Sequence, residues 1–132
     1  MMNTPDNTAG AYWVPVMIPA QTVADLIVTA FEGGSNYWVG SASLAEGNDE
    51  PGIEGPWYSK AELFANPFEI SILDAESENR WVLTRAMVED GLKWLAKNWP
   101  ETFDQIITEN HDAETADIFL QIALFEGEIV FG

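Results

Sequence analysis

The chain has 132 residues, with 22 acids against five Lys or Arg, a formal net charge of −17, one His and no Cys. Chains of this size hide roughly two-thirds of their unfolded surface, enough for one core, and the lack of thiols excludes disulfides, thiol nucleophiles and cysteine metal sites together. The charge argues against direct contact with nucleic acid or an anionic membrane, because both repel such a field.

The five basic residues, Lys60, Arg80, Arg85, Lys93 and Lys97, lie in the middle of the chain, so both ends carry acids alone. Two readings stay open: a solvated surface that keeps the protein soluble, or an imitation of a polyanion that docks on a basic partner. The opening "MMNTPDNTAGA" has neither basic residues nor an apolar run, so neither a signal nor a transit peptide is expected. Residues 1–11 are read as a flexible lead-in and 12–132 as one domain. No segment approaches the roughly 20 apolar residues of a membrane span, and a soluble, cytoplasmic protein is expected.

In chain order, "YWVPVMI" is β-prone, but Pro15 cannot donate to a ladder, which places it at an edge or a bulge. In "PAQTVADLIVTAFEGG", Val23, Leu26, Ile27 and Ala30 recur at helical spacing, predicting a core-facing helix over 22–32. Thr22 is its expected cap with Asp25 as partner, and Gly33 the expected left-handed end. "NYWVGSAS" then predicts a strand in which Tyr37 and Trp38 face opposite ways, with Trp38 the more exposed because it adjoins a long loop. That loop, "LAEGNDEPGIEGP" over 44–56, holds three of the ten glycines, two prolines and four acids, and is a candidate partner contact.

Ser59 is read as capping a short helix, "KAELFAN". "PFEISILD" and "RWVLT", separated by "AESEN", predict a β-hairpin with Phe68, Ile70 and Ile72 on one face. Thr84 is the expected cap of a helix to about Lys97, with Val88, Leu92, Leu95 and Trp99 as its apolar stripe. Pro100 suits the first turn of the next helix, with Phe103, Ile106 and Ile107 inward. Asp112 is placed to cap "AETADIFLQIALF", the expected central buried helix, whose apolar run Gln121 alone interrupts. "EIVF" is a candidate closing strand.

Signatures of chemistry are scarce. There is no GxxxxGK[ST], GxGxxG or GxSxG. "ENHDAETAD" is the sole cluster around the lone His111, but its acids match no metal-ligand spacing and suit a helix start instead, so no metal, cofactor or catalytic residue is assigned and an enzyme is not expected. Trp13, Trp81, Trp94 and Trp99 are read as core, while Trp38 and Trp57 flank the loop and are the accessible tryptophans.

Two segments, "VADLIVTAFEGGSNYW" and "DAETADIFLQIALF" followed by "GEIVFG", resemble a group of small, acidic, functionally uncharacterised proteins encoded by bacteriophages and prophages. The likeness covers about half of this 132-residue chain. Glu126 is a departure, separating Phe125 from Gly127 where the resemblance leads one to expect them adjacent. What it implies is context: small acidic phage accessory proteins often bind host machinery, including CRISPR and other immune complexes with basic nucleic-acid channels. The expectation is therefore an α+β domain, a small and mostly antiparallel sheet packed on about four helices. Its expected role is to bind and inhibit a host protein or ribonucleoprotein with a basic surface, most concretely as an anti-CRISPR or other anti-defence inhibitor. Candidate contacts are Asp49, Glu50 and Glu54 in the loop, Glu101, Asp104 and Glu109 in the helical third, and the aromatics Tyr37, Trp38 and Trp57. The alternative is a small-molecule binder with a pocket at those aromatics.

Overall fold

The computed structural model describes residues 16–44 and 57–132, and the loop acids Asp49, Glu50 and Glu54, along with Trp13 and most of the 12–18 strand, lie outside them. The fold is α+β, as expected: a three-stranded antiparallel sheet with five helices. Helix α1 (Ala20–Thr29) leads through a π-helical turn to Gly34. Strand β1 (Val39–Leu44) follows, then a 3-10 turn (Trp57–Ser59) and the short α2 (Ala61–Ala65). The hairpin β2 (Glu69–Asp74) and β3 (Arg80–Thr84) completes the sheet in the order β1-β2-β3. Helices α3 (Arg85–Asn98), α4 (Pro100–Ile107) and α5 (Ala113–Leu124) close the fold.

Alternation explains the hairpin. Ile70 pairs with Leu83 and Ile72 with Trp81, placing three fully buried aliphatics on the helix-facing side of the sheet. The opposite side carries Ser41, Ser43, Ser71, Leu73 and Val82 in register. Helix α5 packs into the space under the sheet, with every residue from Phe119 to Leu124 buried. Its start is held by Asp112, whose carboxylate accepts from the Thr115 N–H at 2.9 Å and from its hydroxyl, bonds that keep this carboxyl below the usual range. Thr84 caps α3 in the expected way, accepting from Met87 N–H, and Pro100 opens α4.

Local expectations differ in five places. The first helix starts two residues earlier, at Ala20, because the Pro19 carbonyl accepts the first helical N–H groups, and Thr22 is buried in the first turn instead of capping it. Its end is not a left-handed Gly33; the chain widens into a π turn in which Ser35 N–H reaches the Ala30 carbonyl at 2.7 Å. Helix α2 begins after Lys60 rather than Ser59. Trp99 and Ile107 sit at 37% and 39% exposure, off the buried stripes, since α3 and α4 end at these positions. The closing "EIVF" forms no strand, being held by a side chain of α5 in place of a neighbouring ladder.

Candidate functional site

Two parts of the molecule carry the residues of interest: a polar hub around Asp117, and an acidic outer surface on the last third of the chain. The hub begins with the π turn. Widening the helix end brings the Gly34 backbone so close to the start of α5 that a Cβ there would lie 2.1 Å from the Ala113 carbonyl oxygen. That approach sets Ser35, fully buried, against Asp117, and Ser35 donates to Asp117 Oδ1 at 2.7 Å. Trp38 and Val39 N–H groups both bond back to the Ser35 carbonyl, folding 35–38 into a tight turn.

From that turn Trp38 Nε1 donates to Asp117 Oδ1 at 2.8 Å and the Tyr37 hydroxyl to Asp117 Oδ2 at 2.7 Å. Gln121, one helical turn on, donates to both oxygens at 3.2 Å. One carboxylate thus satisfies four donors, which is how a partly buried charge is tolerated without a cation. Burial, then the hydrogen bond and charge of Asp117, push the Tyr37 phenol up to about 12. Tyr58, also half-buried and bonded to Glu32 at 2.7 Å, is raised to about 12 in the same way.

The structure reverses the expectation for the aromatic pair. Trp38 is 2% exposed and Tyr37 49%, because both precede β1 in the turn, so strand alternation does not govern them. The Trp38 ring stacks on Phe131 at 4.9 Å and meets Trp81 and Phe125 edge-on or tilted. Trp57 belongs elsewhere: it is half-buried and packs edge-on against Tyr58, which in turn meets Phe31. The three aromatics that sequence grouped are therefore divided between two clusters, with Trp38 turned inward.

The acids fall on the surface. Glu101 and Asp104 are exposed on α4, and Glu109 follows it exposed, with a φ of 60°. Asp112, Glu114, Glu126 and Glu128 are exposed as well, and no Lys or Arg follows Lys97. Of the eight acids after Lys97, Asp112 is engaged by Thr115 at the start of α5 and Asp117 is turned inward to Ser35, Tyr37 and Trp38. His111 Nε2 lies 3.4 Å from the Thr29 hydroxyl, which itself donates to the Asp25 carbonyl, and among the described residues its buried Nδ1 has no hydrogen-bond partner. Among the described residues no group of three His, Cys, Asp or Glu could hold a metal ion.

Sequence reasoning missed the hub. Gln121 was visible as the one polar residue in an apolar run and Asp117 as its i−4 neighbour on the helix, but the partners at 35–38 and 130–131 depend on tertiary approach. No family model matches the chain, and neither a curated protein nor a solved structure is similar to it.

Proposed function

We propose that this protein is a binding protein of the phage or prophage accessory type, which docks its acidic surface on a basic nucleic-acid-binding site of a host complex and blocks it. An anti-CRISPR or related anti-defence inhibitor is the concrete form of that reading. The observation that carries it is the surface from α4 to residue 128: seven exposed acids, Glu101, Asp104, Glu109, Asp112, Glu114, Glu126 and Glu128, with no basic residue among them in sequence. Charges of one sign on α4, at the start of α5 and in the segments flanking these helices set up a long-range field that favours a basic groove and repels acidic competitors. The two segments behind the phage resemblance supply the context, and both converge on Asp117.

In this reading the protein acts by occupying a site, without turning over a substrate. The test uses purified CRISPR effector complexes, empty and preloaded with target DNA, immobilised for surface binding. Binding to an empty complex, with affinity falling at least about tenfold between low and several-hundred-millimolar salt and lost on preloading with DNA, is the expected result. Salt-insensitive binding, or equal binding to the DNA-filled complex, contradicts polyanion imitation.

A further inference from the structure

Gln121 is 1% exposed in the most apolar helix of the fold, and its carboxamide cannot sit there unpaired. Besides Asp117, its partners include backbone groups of a segment with no regular structure. Oε1 accepts from both Val130 N–H and Phe131 N–H at 2.8 Å, and Nε2 donates to the Phe131 carbonyl at 3.0 Å. One side chain thereby reads three main-chain groups of two consecutive residues, which any pair with free N–H groups presents.

Side-chain recognition is confined to one position. Phe131 lies parallel to Trp38, at 4.9 Å and 5°, edge-on to Trp81 at 6.0 Å and tilted to Phe125 at 5.9 Å. Ile129 and Val130 are 45% and 53% exposed and Glu128 is exposed, so the residues beside Phe131 are not gripped. The segment is tethered just upstream. Glu126 and Gly127 have φ of 54° and 92°, Gly127 N–H bonds to the Ile122 carbonyl at 3.0 Å, and a Cβ at Gly127 would lie 2.7 Å from Trp94 Nε1. Beyond that anchor the described hydrogen bonds from 128–132 to the body are those to Gln121 alone.

A slot with a buried backbone-reading carboxamide and one aromatic-lined socket is the construction of a peptide site. We propose that the slot formed by Gln121, Trp38, Trp81 and Phe125 binds extended peptides that carry an aromatic residue, and that segment 128–132 is its resident, displaceable ligand. The ligand class follows from the contacts: an aromatic side chain in the socket, and no proline at that residue or the one before it, since both N–H groups are used. The segment is held by three hydrogen bonds to one side chain and by one seated ring, while Glu128, Ile129 and Val130 stay exposed, so exchange with a competing peptide involves a single carboxamide and a single socket.

The probe is an acetylated, amidated, fluorescently labelled peptide of the sequence EGEIVFG, titrated against the full chain and against Phe131→Ala, in which the resident segment has lost its anchor. Val130→Pro, which removes one N–H from Gln121 at an exposed side chain, is a second vacated variant should Phe131→Ala fail to fold by circular dichroism. The vacated chain is expected to bind the peptide at least about tenfold more tightly than the unaltered chain, as removal of an occluding intramolecular ligand requires. A peptide with alanine in place of phenylalanine, or N-methylated at that residue, is expected to bind about tenfold or more weakly. Absence of binding to either folded variant, or binding indifferent to the phenylalanine and its N–H, overturns the proposal. The groups that grip the peptide are a neutral carboxamide and aromatic rings, so this outcome is read from the phenylalanine and its N–H and not from salt dependence.

Discussion

Asp117 shows how much one residue organises. Its two oxygens accept hydrogen bonds from Ser35, Tyr37, Trp38 and Gln121, which links the turn after the first helix to the last helix across roughly 80 positions of sequence. The Tyr37 phenol records that link, being raised from 10.0 to about 12 by burial first and by Asp117 second. The sign follows from the acid's own equilibrium. A phenol whose folded pKa is raised keeps its proton in the native state, so its stabilisation is complete below pH 10.0 and is lost as pH climbs toward about 12. Replacing Asp117 with Asn is expected to bring the Tyr37 midpoint part of the way back toward 10.0, leaving the share due to burial, and to lower the melting temperature because Ser35 and Trp38 lose a charged acceptor. Tyrosinate absorbance during an alkaline titration, with the Tyr58 transition as internal reference, is the check; an unmoved Tyr37 midpoint contradicts this account of the hub.

Elements whose cause is local were legible from sequence. The hairpin followed from alternation at 68–72 and 80–84, and α3 and α5 from Thr84 and Asp112 placed before helical runs. What was not legible depended on approach between distant parts. The end of the first helix is the clearest case: GlyGly looked like a left-handed stop, yet Gly33 has open space around it and an ordinary φ, while Gly34 is the residue pressed on Ala113. Gly33→Ala is therefore expected to be neutral or to stabilise by about 0.4–1 kcal/mol through the unfolded chain. Gly34→Ala is expected to destabilise by about 1–3 kcal/mol, since the clash is with backbone that cannot rotate away. Thermal melts of the two variants separate the readings, and equal losses at both positions contradict the π-turn explanation. The tail was misread for the same reason: "EIVF" has strand composition, but the partner that captures it is Gln121, a side chain that sequence shows only as an interruption. Trp38 was misplaced because an adjacent loop says nothing of Phe131, which arrives from the other end of the chain to cover it.

At the scale of the whole molecule, polarity is distributed by sign more than by amount. Basic residues are confined to 60–97, and two of them are engaged locally, Arg80 with the Ser71 hydroxyl and Arg85 with the Phe64 carbonyl. Among the described residues no helix is long and apolar enough to cross a membrane. The acids after Lys97 other than Asp117 are exposed, on α4, at the start of α5 and in the segments that follow these helices. We propose that these exposed acids drive docking on a basic site. That role is tested most directly by the association rate of Glu101→Gln, Asp104→Asn, Glu109→Gln, combined in one chain, on an effector complex that the unaltered protein binds. All three side chains are exposed, so the fold should be intact by circular dichroism. An on-rate reduced by about tenfold at low salt and converging on that of the unaltered chain at high salt is expected, as screened steering requires. An on-rate equal to that of the unaltered protein at low salt contradicts it.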